Sequence, residues 1–350
     1  MDISVIVPVF NGGKKIGKCV SALKRQKTGR TFEIIVVDDG STDRSLHGIE
    51  GDGIRVFKQP NQGPGAARNL GVEKALGKIV LFTDADCEPL EDWIEQMVRP
   101  LEDPCTSGVK GSYLTGQKDL VPRFVQFEYE SKYERMKRDP CIDFIDTYAA
   151  GFIKRDFLSV GKYDIRFPTP SVEDQEFSFR MWEKGYRMVF NPEARVYHTH
   201  SDSLWDYMKK KFRIGFWKAL VLKKHPQKIF RDSHTPQSLK FEMVFAMLFL
   251  LSLFFCPLED GLFACAIFPL TGFLATISPF VLKLFRKDPA VALFSPFLLF
   301  ARAISLSFGL IVGAFRFYVL NGRADSQVAT EDGVMEYWSD GVMEKRIRGA

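Results

Sequence analysis

Four short runs rich in β-branched residues, ISVIVPVF at 3–10, FEIIVV at 32–37, IRVF at 54–57 and IVLFT at 79–83, alternate with helix-like stretches. Runs this short and this apolar suit strands buried on both faces, the condition of parallel strands covered by helices. The order βαβαβαβ predicts an α/β domain with a Rossmann-like, mostly parallel sheet. In open sheets of this class, ligands bind beyond the carboxyl ends of the strands. Here those ends carry Asn11, then Asp38 and Asp39, then Asp84 and Asp86, so acidic groups from separate strands should converge on one rim.

Further along, 120–138 and 173–184 read as helices, 189–200 as a last strand, and the polar segment 163–171 as a mobile loop. This first domain is expected to span 1–204. A basic, aromatic-rich segment follows at 205–240, in which Trp205, Tyr207, Phe212, Phe216 and Trp217 interleave with Lys209, Lys210, Lys211, Arg213 and Lys218. The pattern suits a helix lying on an anionic membrane surface, and a solvated basic face is the plainer alternative.

Composition changes character near residue 240, although the chain average, 46% hydrophobic with a mean hydropathy of −0.08, conceals it. Apolar stretches at about 241–258, 261–282 and 297–320 each approach the roughly 20 residues that cross a bilayer core. They predict a transmembrane region of about three spans at 241–320 and a polar tail at 321–350. The first two stretches should form a hairpin through Glu259-Asp260-Gly261, and Arg302 and Arg316 in the third are tolerable if they snorkel from opposite ends. Basic residues crowd the segment before the first span and recur at Lys283, Arg286 and Lys287, so the N-terminal domain and the second loop are expected on the cytosolic side. The side occupied by the tail stays open, because Lys345, Arg346 and Arg348 complicate it.

The net charge of +5 is modest and locally concentrated, which gives no reason to expect a nucleic-acid partner. Six widely spaced cysteines show neither a zinc spacing nor a disulfide framework, and the N-terminus enters a strand-like run without a secretory pattern. Both point to reduced thiols in a cytosolic domain.

The chemistry concentrates in a few motifs. Asp84-Ala85-Asp86 directly follows KIVLF, and carboxylates there could hold a divalent cation that neutralises charge on a leaving diphosphate. VVDDGSTD at 36–43 ends a strand in acids and starts a helix through an apparent Ser/Thr cap; Asp39 either receives hydrogen bonds from a nucleoside or belongs to a structural cap. NQGPGAARN at 61–69 supplies glycines such as Gly65 for close backbone approach, then a helix with Arg68 able to meet phosphate or a carboxylate. Glu173-Asp174 opens a later helix after the polar loop, as a general base or as acids favoured by the helix dipole. His198 and His200 alternate on a strand and share a face.

Taken in order, VIVPVFNGG, VVDDGSTD, NQGPGAARNLG, FTDAD and VEDQEFSFR resemble the family 2 inverting glycosyltransferases of the GT-A (nucleotide-diphospho-sugar transferase) fold, over about residues 1–215. The resemblance implies that Pro8, Val9, Phe10 and Asn11 pack around the nucleotide, that Asp39 reads the base, and that Arg68 serves the donor-site helix. It implies that Asp84, Ala85 and Asp86 form the metal and diphosphate motif, with Asp86 the direct ligand of Mg2+ or Mn2+ and His198 a further metal ligand. Asp174, beside Glu173, would be the base, and Arg213 with Gly215 would belong to a basic segment closing over the diphosphate. A pair of surface histidines remains the alternative for His198 and His200.

The processive synthases' Gln-x-x-Arg-Trp motif is missing, and Arg180-Met181-Trp182 does not reproduce it. The expectation is a membrane-bound enzyme that moves one sugar from a UDP- or GDP-sugar to a lipid-linked acceptor, a polyprenyl phosphate or a lipid-linked glycan, among membrane lipids. A processive synthase that also transports its polymer, and an inactive nucleotide-sugar-binding scaffold, are the competing readings.

Overall fold

The computed structural model describes residues 1–47, 49, 53–230, 233, 235–255, 263–320, 334–339 and 342–347. The four runs legible in the sequence form β1 (Ile3–Val9), β2 (Phe32–Asp38), β3 (Ile54–Lys58) and β4 (Ile79–Phe82). They pair in parallel in the order β3-β2-β1-β4, with α1 (Lys15–Lys24) and α2 (Pro64–Lys74) as crossovers. Two apolar clusters cover the faces of this half. One joins Ile3, Val5 and Val7 to Ile16, Val20 and Leu23 of α1; the other joins Ile6, Ile35 and Val37 to Ala67 and Val72 of α2.

The second half of the sheet departs from the parallel expectation. β5 (Cys87–Pro89), β6 (Thr106–Leu114), β7 (Ala150–Ile153) and β8 (Arg187–His198) complete an eight-stranded sheet in the order β3-β2-β1-β4-β7-β6-β8-β5. β7 runs antiparallel to β4 and β6, and β5 antiparallel to β8, whereas β6 and β8 are parallel, so the sheet is mixed. Short antiparallel strands need no helical crossover, which is why they left no helix-strand rhythm in the sequence. Three further helices matter for the site: α3 (Trp93–Val98), α4 (Leu120–Met136) and, after α5 (Lys154–Val160), α6 (Glu173–Glu183). Among the described residues no helix starts at the Ser41-Thr42 cap; residues 41–47 are irregular, with bends at 43–44 and a turn at 45–47, and residues 48 and 50–52 lie outside the described residues.

The segment 163–171 is tethered rather than loose. Asn69 exchanges two hydrogen bonds with the Tyr163 backbone, at 2.9 and 3.0 Å, and Asp164 accepts from Lys224 at 2.7 Å.

α7 (Leu204–Lys224) occupies the basic segment, and α8 (Gln237–Phe255), α9 (Phe263–Lys287) and α10 (Pro289–Ala314) follow, the last continuing as a π-helical stretch, Phe315–Leu320. α9 and α10 meet at the single residue Asp288, so the third apolar stretch begins at 289 and not at 297. Among the described residues, Ala266–Lys287 and Pro289–Leu320 are long and apolar enough to cross a membrane. The turn Glu259-Asp260-Gly261 lies outside the described residues, as do 321–333, 340–341 and 348–350 of the tail; a two-stranded hairpin pairs 334–339 with 342–347.

α7 packs lengthwise on α10, where a Cβ at Gly215, Gly309 or Gly313 would strike the backbone of the opposite helix. One expectation about this region needs correction. Arg302 does not snorkel from an end of its helix. It lies midway along α10 and pairs with Glu128 of α4 at 2.6 Å and with Glu242 of α8. Two carboxylates inside the protein replace the water that snorkelling would supply.

Candidate active site

Two strand ends and one strand pairing build the centre of the site. Asp84 and Asp86 follow β4 directly, and Cys87, the first residue of β5, is paired with His198 at the end of β8. That antiparallel register brings Asp86 beside the histidine, with Asp86 Oδ2 and His198 Nε2 3.5 Å apart. Burial would raise the Asp86 carboxyl; the hydrogen bond and charge of His198, with Lys15 and Lys210 nearby, hold it below its ordinary value.

Asp84 turns the other way. Its Oδ1 accepts from Arg68 Nη2 at 2.7 Å, while Arg68 Nη1 donates to Glu173 Oε1 at 3.0 Å. Arg68 and Glu173 are both buried, and Asp84 is partly exposed. The arginine is therefore held between two acidic motifs, and within the protein its partners are carboxylates. Its position follows from α2: Gly63 precedes the helix at φ +90°, where a Cβ would meet the Pro168 carbonyl, and Pro64 starts the first turn. Arg68 then falls one turn into the helix.

Asp174 is the second residue of α6, and its Oδ1 accepts from the Gln175 N–H at 2.8 Å. Burial and the adjacent Glu173 charge push its carboxyl up to about 7, against the opposing pull of Arg68. A carboxylate poised near neutrality suits proton abstraction. Asp84, Asp86, Arg68, Glu173, Asp174 and His198 all line one cavity of about 730 Å³.

The nucleotide-side candidates lie off that lining. Phe10 is exposed at the end of β1, whereas Val9 is in the core. Asn11, at φ +49°, donates from its backbone to Ser41 Oγ at 3.0 Å and accepts on Oδ1 from the Thr42 N–H at 2.8 Å, tying β1 to the segment after β2. Asp39 is buried and accepts from Gln59 Nε2, Gln62 N and Gly63 N at 2.7 to 2.9 Å, so it organises the loop before α2. Burial raises its carboxyl in spite of those donors. Gly65 packs under Tyr163 and Glu173, and Ala85 packs against the core. Pro8 lies within β1, one residue before its end.

Arg213 is not brought into the cavity. At about 100° per residue, Lys210, Lys211, Ile214 and Lys218 share one face of α7 and line the cavity, and Arg213 points away from them. Gly215 is on the lining but makes the contact with α10.

The donor set fits a divalent cation. Asp86, Cys87 and His198 offer ligand atoms within 4.8 Å of one another. Burial raises the Cys87 thiol well above its ordinary value, and Mg2+ or Mn2+ favours the carboxylate and imidazole over a soft sulfur ligand. One or two protein ligands completed by substrate phosphates and water is a usual arrangement for such ions.

Several lining residues carried no signal in the sequence. Tyr113 lies against His198 with ring centroids 4.4 Å apart, and Tyr129 stacks on His200. Burial drives the His200 imidazole down to about 3. Behind the lining, Gln126, one turn before Tyr129 on α4, bonds to His200; spacing of three or four on one helix was the available hint.

Comparison with known proteins agrees with this geometry. A model described as glycosyl transferase family 2 matches residues 4–160, and one described as glycosyl transferase family group 2 matches 152–312. Glycosyltransferase AglE of Haloferax volcanii is 28% identical over 234 residues, 61% of this chain and 71% of that protein. The pre-mycofactocin glycosyltransferase of Mycobacterium tuberculosis is 27% identical over 238 residues, 65% of this chain, and the chain spans about half, 49%, of its length. The mannosyltransferase PcManGT of Pyrobaculum calidifontis, solved with GDP-Man and Mn2+, superposes with a TM-score of 0.54 at 18% identity, covering 88% of this chain and 86% of that one. With both family models spanning the sheet, the site and the helices that follow, the chain is a glycosyltransferase enzyme that belongs to family 2 and has the GT-A fold.

Proposed function

We propose that this enzyme transfers a single sugar, with inversion, from a UDP- or GDP-sugar to a lipid-linked acceptor at the cytosolic face of a membrane. The observation that carries the reading is the continuity of the cavity. Asp84, Asp86 and His198 line the same space as Lys210 and Lys211 and as Phe280 of α9 and Leu299 and Leu306 of α10. An acceptor with an anionic head and an apolar tail matches a cavity whose lining combines carboxylates, lysines and side chains of the apolar helices.

In this reading Asp86 and His198 hold Mg2+ or Mn2+, which when bound supplies positive charge to the nucleoside diphosphate. Lys15 and Lys210 flank Asp86 and add cationic charge around the same phosphates. Phe10 offers an exposed face to the base. Arg68 fixes the distance between the donor motif and α6 by bonding Asp84 and Glu173 together. Asp174 accepts the proton of an acceptor hydroxyl; where the acceptor is an ionised phosphate, it orients rather than deprotonates.

The pairing of α4 with the α9–α10 corner supports the orientation. Arg123 donates to Asp288 at 2.8 Å, Lys287 pairs with Glu130 at 2.8 Å, and Lys283 pairs with Glu134. These bonds keep the basic corner on the same side as the catalytic domain.

The test is a screen of radiolabelled UDP- and GDP-sugars with detergent-solubilised protein and a membrane lipid extract. Label that partitions into the organic phase, dependent on Mg2+ or Mn2+, is the expected result. Label confined to free sugar or water-soluble glycan would rule out the lipid acceptor.

A further inference from the structure

The Asp86–His198 pair ends a hydrogen-bond chain that runs back into the domain core, and the polarity of that chain is fixed at its inner end. The Tyr113 carbonyl oxygen can only accept, so Gln126 Nε2, 3.1 Å away, donates to it and Gln126 Oε1 is left as an acceptor. His200 Nε2 lies 3.2 Å from that oxygen and carries a hydrogen. His200 Nδ1 lies 3.1 Å from His198 Nδ1, so one of the two donates.

Which one donates follows from the surroundings of His200. Its ring is buried and stacked parallel to Tyr129 at 5.8 Å, and its two ring partners are an imidazole and an amide, neither anionic. A second ring proton would place a charge there without a bonded counter-ion, which is costly. His200 Nδ1 is therefore bare, and His198 donates to it through Nδ1–H. Without a cation, a proton on Nε2 bonds to Asp86; a histidine ligand must be neutral, so in the metal-binding form the lone pair of His198 is on Nε2, the nitrogen that faces Asp86. Gln117 holds His200 in place from both sides of its backbone: the His200 N–H donates to Oε1 at 2.6 Å, and Nε2 donates to the His200 carbonyl at 2.9 Å.

We propose that His200 and Gln126 are positioning residues that set the tautomer of His198, presenting its Nε2 lone pair to the divalent cation shared with Asp86. The proposal rests on the metal reading given above. Histidine ligands commonly have their second nitrogen held by a carboxylate or a carbonyl. In this protein the acceptor is another imidazole, whose own polarity an amide dictates, so the donor property of one ligand is written by the backbone of Tyr113 three groups away.

The test uses the full-length, detergent-solubilised protein with Mn2+ alone as probe. Nitrogen-15 spectra of metal-free wild type, with the five histidines assigned by substitution, should show His198 protonated on Nδ1 and His200 on Nε2. By calorimetry, His200→Phe keeps a flat ring against Tyr129 but deletes the acceptor, and should weaken Mn2+ binding about 10- to 100-fold. His200→Asn places an amide oxygen near the lost Nδ1 and should recover most of that affinity. A His198 signal protonated on Nε2 and not on Nδ1 in a protein that binds Mn2+ overturns the relay alone. So does a His200→Phe affinity within about twofold of wild type, or an Asn variant no better than Phe. Wild-type protein that binds no Mn2+ removes the metal reading, and the relay's purpose with it.

Discussion

Asp84 and Asp86 stand one residue apart yet take different partners, Arg68 for the first and His198 for the second. Substitution should separate them. Asp86→Ala removes the carboxylate of the proposed metal site, and transfer should fall by about two orders of magnitude or more, with Mn2+ affinity lost, on the scale of deleted electrostatic stabilisation. Arg68→Ala leaves the buried Glu173 without its cation, so it should cost stability, of order 3 to 5 kcal/mol, read as an earlier denaturant midpoint. Asp174 gives a pH signature. Its carboxyl is raised to about 7, and a base works only when deprotonated, so turnover with a hydroxyl acceptor should climb as pH rises through 7 and then level off. Asp174→Asn should be slower by about 10² to 10⁴ and lose that rise. The sequence exposed these acids through their places after strands and at a helix start, but it could not assign partners. Arg68 and Glu173 are 105 residues apart and meet only once the sheet has closed.

At the scale of elements, legibility followed locality. β1 to β4 were readable because each is a compact apolar run, and α4, α6 and α7 because their residues repeat with helical period. β6, TSGVKGSYL, is buried along most of its length yet holds two glycines, a lysine and two serines, so no apolar pattern announced it. Gly108 and Gly111 are there because Ile145 and Met188, and Ala149 and Ala194, leave no room for a side chain, a constraint invisible along one strand. Arg213, which the resemblance pointed to, lies off the cavity lining, and counting 100° steps along α7 separates it from Lys211, Ile214 and Lys218. The α7–α10 contact carries its own prediction. Gly309→Ala should force the helices apart and destabilise the solubilised protein by about 1 to 3 kcal/mol, measured as a lower melting temperature. The Arg302 cluster carries another: Arg302→Met takes the guanidinium from Glu242, whereas Glu128 keeps Lys211 at 3.2 Å and Tyr207 at 3.0 Å, so the single variant should be less stable than the double variant that also makes Glu242 Gln.

For the whole molecule, the proposed orientation can be checked through Cys105, which is exposed on the catalytic domain. In a variant keeping only that cysteine, a membrane-impermeant maleimide should label inverted vesicles and leave sealed cells unlabelled. The bonds from Arg123, Glu130 and Glu134 of α4 to the α9–α10 corner have a further meaning for the product. They fasten the catalytic domain to the apolar helices at a set height. With the lipid-linked acceptor proposed above, that height acts as a ruler: an acceptor oxygen would be in register only at one distance from its tail, and an added sugar would move the next oxygen beyond that mark. On that proposal, product sizing should find a single added residue even at great excess of donor.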